Sequence, residues 1–389
     1  MHNKIPTIFK QLFDLLPLSY IEYLVGQHNL NKYNKSFSFQ QLLKLIMISQ
    51  LANISSLREL DTFMKSHFNK WYHLGIKSSA KSTISRHLNY TSYQFFQFIF
   101  YKLLSHIKTI ELRKHNNFNF NVYSIDASLI DLTLSVFNWA KYRKTKWAIK
   151  LHTLLNNNNF IPEFIHITTW KVHEINIAKF ATDNIASGSV ILFDRAYIDF
   201  NYFRELDNKW ITFVTRTKKN LDFTVLKKKT INEWNIIMEK KVIYMNNKWE
   251  EVFGKELRIV VVKNEDGKIY ELLTNNFDIT AEDIGILYKN RRQIEMYFKW
   301  IKQNLKIKSF LWTSKNAVLS QIYVAMIVFL LVSYLKSLSK INSSLLEITR
   351  TIKAVLMDKV SLFYIIWLPS KSISELKNKD SPFKQLSLF

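Results

Sequence analysis

Between Tyr288 and Lys302 the chain carries Tyr288, Arg291, Glu295 and Lys302 in the pattern Y-x2-R-x3-E-x6-K. On one continuous helix, at about 100° per residue, these four side chains fall within roughly 60° of one another. Lys299 lands about 20° beyond that sector, and Lys306 returns to the angle of Tyr288. Leu287, Ile294, Phe298, Ile301 and Leu305 form an apolar stripe centred roughly 80° away. Such a helix buries one side and presents, on the next, a lone carboxylate among cations and a phenol. That set suits metal-dependent work on a phosphodiester, with a carboxylate to hold the cation and basic groups to hold phosphate. A plain surface helix with an Arg–Glu i,i+4 pair is the competing explanation, and the rest of the chain decides between them.

The chain has 389 residues, room for two or three domains, and its 48% hydrophobic content is that of a globular protein. Lys and Arg total 55 against 31 Asp and Glu, a formal charge of +24 that is spread along the sequence. A polyanionic partner, nucleic acid above all, fits that excess. Codon drift toward Lys, Asn, Ile and Phe accounts for part of it. Cysteine is absent, which excludes disulfides and thiolate zinc sites and suits a reducing cytosol. No long apolar run opens the chain, so a signal peptide is not expected. Ala317–Leu335 is long enough to cross a bilayer. Its Ser320, Gln321 and Ser333, and the basic Lys315 and Lys336 at its ends, favour a buried helix and no membrane role.

Residues 1–115 read as helices. Phe39–Leu51 is amphipathic, and Ser56-x-x-Glu59 has the form of a capping box opening Leu57–Met64. Ser78–Leu88 places Lys81, Thr83, Ser85, Arg86 and His87 on a second short helix. The pair suggests a helix-turn-helix DNA reader with Lys81 and Arg86 on its contact face; an ordinary helical bundle accounts for the pattern nearly as well. Periodicity then changes. Phe118–Asp126, Lys146–Leu155 and Ile161–Thr169 are strand candidates, the last two joined through Asn156–Asn159. Glu174–Thr182 reads as helix, Ser189–Phe193 as a short buried strand, Asp199–Leu206 as helix and Trp210–Thr215 as strand. Three strands followed by alternating helix and strand is the order of an α/β ribonuclease-H-like core. Residues 217–277 break the alternation with short strands at Lys241–Met245, Glu256–Lys263 and Ile269–Thr274, a β-rich insertion in a core spanning 116–308. Residues 309–389 form a helical C-terminal region with a frayed end after Pro369.

Asp126 is expected at the end of the first core strand, Asp194 at the end of the fourth, and Glu295 on the late helix. In such a core the first and fourth strands are neighbours, so their ends converge. A lone Asp at a strand end is ordinarily a turn former; two such ends and a helix glutamate together form a candidate ligand set. Hard oxygen ligands suit Mg2+ or Mn2+, and two ions about 4 Å apart hold the attacking and leaving oxygens of a phosphodiester.

These residues bring a family resemblance with them. SIDASLIDL (Ser124–Leu132), FNWAKYRKTKWAIKLHTLL (Phe137–Leu155), KVHE (Lys171–Glu174), ILFDRAYID (Ile191–Asp199), FVTRTKKN (Phe213–Asn220), YKNRRQIEMYFKWIKQNLKIKSF (Tyr288–Phe310) and SKNAVLSQI (Ser314–Ile322) resemble the DDE transposases of bacterial insertion sequences. Within that family the chain is similar to the insertion-sequence-four group, marked by the Y-R-E-K signature. The resemblance covers essentially the whole length. It implies that Asp126, Asp194 and Glu295 ligate two divalent ions, and that Tyr288, Arg291 and Lys302 grip phosphates at the element's end. It further implies cut-and-paste transposition without a covalent enzyme intermediate, a synaptic homodimer on terminal inverted repeats and target DNA, and a cytoplasmic, nucleoid-associated protein. Related enzymes pass through a DNA hairpin.

Lys141, Arg143, Lys144 and Lys146, with Lys150 on the next strand, form a cationic patch close in sequence to Asp126, suited to phosphate contacts that carry no sequence information. A solvated charge run is the plainer account. Lys218 and Lys219 extend the patch, and Lys299 adds to the signature helix. Trp139 and Trp147 could stack on an unpaired base, though core packing is commoner. His152, His166 and His173 lack metal-ligand spacing and read as packing or groove residues, His173 being the one nearest substrate. Trp147, Trp170 and Ala196 stand where relatives have glycine, and a Cβ at a turn needing positive φ costs on the order of 1 kcal/mol. This leaves open a weakened copy that binds element ends and represses transposition.

Overall fold

The computed structural model describes residues 5–32, 36–109, 118–132, 141–143, 146–233, 235–244, 253–305, 310–339 and 343–367. The chain divides into two compact units, Arg113–Lys302 and a helical unit made of Met1–Leu112 with Gln303–Phe389. Lys144, Trp139, Lys306 and the segment after Pro369 lie outside the described residues, and of Lys141, Arg143, Lys146 and Trp147 the backbone alone is described.

The N-terminal helices are α1 (Ile8–Asp14), α2 (Leu18–Gln27), α3 (Phe39–Leu51), α4 (Leu57–Ser66), α5 (Trp71–Leu74), α6 (Lys81–Tyr90) and α7 (Tyr93–Lys108). Ser56 caps α4 by accepting from the Glu59 N–H at 3.1 Å. The glutamate reaches back to the Ser55 N–H at 2.6 Å, one residue earlier than the capping box requires. A 3-10 turn (Phe68–Lys70) and the one-turn α5 separate α4 from α6, a longer connection than the tight turn of the expected reader.

In the other unit β1 (Val122–Leu132), β2 (Lys141–Arg143), β3 (Lys146–Asn156) and β4 (Ile161–Thr169) precede α8 (Glu174–Ala181). Next come β5 (Val190–Leu192), α9 (Phe200–Asn208), β6 (Thr212–Arg216), β7 (Phe223–Glu233), β8 (Ile236–Tyr244), β9 (Leu257–Lys263) and β10 (Ile269–Thr274). The helices α10 (Ala281–Asn290) and α11 (Arg292–Asn304) follow. One ten-stranded sheet runs β2-β3-β1-β5-β6-β10-β9-β8-β7, with β4 on β3. The first strand therefore lies beside β5, as the ribonuclease-H-like order requires, and β1, β5 and β6 are parallel.

One expectation changes here. β1 does not end at Asp126: it pairs with β3 as far as Leu132, while its pairing with β5 stops at Ser124. Residues 217–277 are β-rich as expected, and β10 pairs with β6 and carries β9, β8 and β7 into the same sheet. Asn156–Asn159 joins antiparallel β3 and β4 as the expected hairpin. Asn157 and Asn158 are buried, and Asn158 bonds the Val122 N–H and the Phe120 carbonyl, so its amide completes the start of β1 as a strand would.

The strand period of two sorts the core onto two faces. Tyr123, Ile125, Ile191, Phe193 and Phe213 pack with α8 and α9 side chains such as Ala178 and Phe203. Val122, Val190, Leu192, Val214 and Leu272 pack with Ile284 and Leu287 of α10.

The C-terminal helices are α12 (Lys315–Ser339), α13 (Leu345–Ala354) and α14 (Leu362–Trp367). α12 is the one helix among the described residues long and apolar enough to span a membrane, and 94% of its most apolar stretch is buried by protein. It packs on α3, α6, α7 and α13, so N- and C-terminal helices share one core. Its polar groups are satisfied there. Gln321 accepts from the Leu311 N–H and donates to the Ala317 carbonyl, and Asn316 donates to the Thr91 carbonyl at the end of α6.

Candidate active site

Parity brings the two aspartates together. Val122, Ser124 and Asp126 alternate onto the α10 face of the sheet, as do Val190, Leu192 and Asp194. Ser124 is paired in register with Leu192, so both aspartates stand two residues past the same rung on neighbouring strands, which are about 4.8 Å apart where paired. Each carboxylate accepts from the next residue's N–H, Asp126 from Ala127 at 2.8 Å and Asp194 from Arg195 at 2.6 Å. A short 3-10 turn, Arg195–Tyr197, follows Asp194. Ala196 lies in that turn, and neither it nor Trp170 is among the positive-φ residues, so the missing glycines exact no backbone penalty there.

The signature does not lie on one uninterrupted helix. α10 ends at Asn290 and α11 begins at Arg292. At the junction Arg291 donates to the Tyr288 carbonyl and Ile294 to the Arg291 carbonyl, both at 3.2 Å, bonds to the residue three back that tighten the turn. The Asn290 carbonyl accepts instead from the buried Asn157 side chain at 2.9 Å. Asn157 also donates its own N–H to the Val122 carbonyl at 2.8 Å. One asparagine therefore ties the helix junction to the root of β1.

Arg291 then sits among all three candidate acids. Its guanidinium pairs with Glu295, Nη1 lies 3.9 Å from Asp126 Oδ2, and its side chain is only 15% exposed. Burial opposes its charge, but Tyr288, Glu295, Asp194 and Asp126 together hold its pKa above the ordinary value. Asp126, 25% exposed, is pushed up to about 6, chiefly by burial. The Ala127 N–H and Arg291 pull the other way, while Asp194 and Glu174 add to the rise. The Tyr288 ring lies 5.9 Å from the guanidinium carbon and 6.3 Å from the Tyr270 ring. Burial raises its phenol pKa, against the pull of Arg291. Tyr288, Arg291 and Glu295 line one wall of an open cleft of about 1020 Å³, with Arg216, Tyr270 and Arg292 around it.

Among the described residues no three His, Cys, Asp or Glu side chains already form a cluster that could hold a metal ion. The donor set fits one in chemistry, because its oxygens are hard ligands.

The other basic candidates are dispersed. Lys299 is exposed and Lys302 half-buried on α11. Lys150 is held by Glu174 at 3.1 Å and by the Val172 carbonyl at 3.3 Å. Lys81 and Arg86 are exposed on α6 in the helical unit, Lys81 lying 3.9 Å from Asp61. His152 and His166 face each other across β3 and β4. His152 is pushed down to about 4, by burial first and then by Lys150 and His166, and its Nε2 meets Thr168 at 2.8 Å. His173 is the N-cap position of α8.

Sequence reasoning passed over Asn157, Glu174 and Tyr197. Tyr197 is buried with its hydroxyl unpartnered, in the field of Asp126, Glu174 and Asp194. Glu174 and Tyr197 both lie inside quoted motifs, KVHE and DRAYID, which was the available signal.

A ribonuclease-H-like sheet with aspartates just past a shared rung of neighbouring strands and a glutamate on a following helix defines a class, the nucleic-acid strand-cutting and strand-joining enzymes. Within it, a family profile described as "Transposase DDE domain" matches residues 118–331. A second profile, a domain of unknown function, matches residues 4–77. A Sinorhizobium fredii protein named as transposase y4zB is 30% identical over 262 residues, 66% of this chain and 73% of that one. A Geobacillus stearothermophilus protein, named as a transposase for insertion sequence element IS5377, is 21% identical over 87% of this chain and 86% of its own. A Synechocystis protein, named as a transposase for element IS4SA, is 24% identical over 64% of this chain and 69% of its own. The solved piggyBac transposase synaptic complex with hairpin DNA is similar over 97% of this chain and 82% of that one, with a TM-score of 0.45 and 11% identity. The chain belongs to the DDE transposases, and it is an enzyme that cuts DNA.

Proposed function

We propose that the chain moves an insertion sequence by cut-and-paste transposition, with Asp126, Asp194 and Glu295 as the catalytic carboxylates. The observation that carries this is one half-buried guanidinium, that of Arg291, which pairs with Glu295, lies 3.9 Å from Asp126 and feels the field of Asp194, acids remote in sequence. When bound, one or two Mg2+ or Mn2+ ions would supply Lewis-acid activation of the attacking oxygen and the scissile phosphate. Asp126 must be ionised to act as a ligand, and a bound cation would favour that form against the burial that raises its pKa. Cleavage breaks the P–O3′ bond as water attacks phosphorus. Strand transfer repeats the displacement with the freed 3′ hydroxyl, whose proton leaves while the departing target oxygen gains one. No oxidant or enzyme-linked intermediate is needed.

Arg291 has a planar fork that binds phosphate as readily as carboxylate. In this reading a terminal phosphate draws the guanidinium away from Asp126 and Glu295 as the element end docks, and releases both acids for the ions. Tyr288, Lys299 and Lys302 add phosphate contacts, as do Lys141, Arg143, Lys144, Lys146 and Lys150. Residues 1–115, with Lys81 and Arg86, contact the terminal repeats, and two copies act together on paired ends.

The test is Mg2+-dependent cleavage of duplex DNA bearing the element's own inverted repeats, by the unmodified chain and by Asp194→Ala. Cutting by the first alone is expected. End binding without cutting by the unmodified chain would favour the repressor reading; cutting by Asp194→Ala at the normal rate would overturn the site.

A further inference from the structure

Strand β7 closes one end of the sheet, pairing on one side only, with β8. From Thr224 to Thr230 it is exposed on both faces, Val225 and Leu226 included at 40% and 47%. Its centre is Lys227-Lys228-Lys229, which by strand alternation point to both faces in turn. Lys227 lies opposite Lys241, and Lys228 opposite Lys240, and like charges directly across a ladder are unfavourable; Lys229 lies opposite Glu239, whose carboxylate is taken by Arg258. The β8 lysines are neutralised, Lys240 by Glu271 and Lys241 by Glu256. Among the described residues none of the three β7 lysines has a carboxylate within ion-pair distance. The edge thus carries a row of uncompensated cations at a cost to the fold.

We propose that β7 is a second DNA-contact surface, a sequence-independent rail for the phosphate backbone of duplex DNA. This rests on the reading that the chain acts on DNA. Lys227 and Lys229 share a face about 6.8 Å apart, close to twice the 3.4 Å rise per phosphate along one strand. A register shift between Val225 and Lys227 twists the edge locally. A charged edge also guards against strand-to-strand aggregation, but charge of either sign would do that, and only positive charge binds phosphate.

That difference sets the experiment. Binding of the full chain to a 40-bp duplex of arbitrary sequence is measured from about 0.1 to 0.5 M salt. The unmodified chain is compared with the triple variants Lys227→Gln/Lys228→Gln/Lys229→Gln and Lys227→Glu/Lys228→Glu/Lys229→Glu. Two lost phosphate contacts on the Lys227/Lys229 face should lower the slope of log K against log salt by about 1.8, up to roughly a 60-fold loss at 0.1 M. Both variants should show the lower slope, with thermal melting no lower than that of the unmodified chain. Wild-type slope in the folded Glu variant would overturn the proposal, as would aggregation of the Gln variant with the Glu variant binding normally. Those results would leave the transposase reading standing. Failure of the unmodified chain to bind any duplex would instead remove both.

Discussion

Replacing Asp126 by Asn should stabilise the metal-free protein, and only above the acid range. The carboxyl is moved from 3.8 to about 6 by burial, net of the opposing pull of Arg291 and the Ala127 N–H. A folded value above the unfolded one means that the group's contribution to stability is complete below about pH 4. It is lost as pH rises through about 6. At about 1.4 kcal/mol per pKa unit, the ionised side chain costs the fold about 2–3 kcal/mol at pH 8. Asparagine keeps the shape and cannot ionise, so Asp126→Asn should melt roughly 5–10 °C higher than wild type at pH 8 for a domain of this size. At pH 4 the two should melt together. The assay is calorimetry in EDTA across pH 4–8, repeated with Mg2+, which should raise the wild-type melting point and leave the variant's nearly unmoved. A variant less stable than wild type at pH 8, or a gap that persists at pH 4, would refute the argument that this acid is held without sufficient counter-charge.

Glu295→Gln should abolish strand cleavage while leaving duplex affinity within about twofold, checked by gel cleavage and filter binding on the same DNA. Arg291→Ala should weaken binding of the element terminus about tenfold or more, the loss of a charge-assisted phosphate contact. It should also strengthen Mn2+ binding in the absence of DNA, since the competing guanidinium is gone; unchanged Mn2+ titrations would contradict this. Asn157→Ala removes the donor to the Asn290 carbonyl and should cost about 1–3 kcal/mol in urea unfolding. Cleavage should fall further than stability alone explains, because the junction that aims Glu295 is loosened.

Much of the catalytic unit was legible before any coordinates. Strands such as Ile161–Thr169 and Ile269–Thr274 announce themselves because half-buried or buried strands must carry β-branched and aromatic residues at period two or in runs. Strand β7 was missed for the converse reason: exposed on both faces, its lysine run shows no apolar alternation, and only its pairing with β8 makes it a strand. The break at Arg291 was equally hidden. Helical counting from Tyr288 to Lys302 assumes each carbonyl waits for a donor four residues on. A donor from Asn157, far away in sequence, decides otherwise.

By itself the sequence determined which side chains could do the chemistry, their order along the chain and the class of core that would hold them. These follow from local rules of residue type and period. Tertiary structure alone decided that Asp126 and Asp194 both lie two residues past one shared rung, that β7–β10 join the same sheet, and that Arg291 stands beside the acids. Those outcomes depend on register, burial and field between residues remote in sequence, which no local pattern encodes.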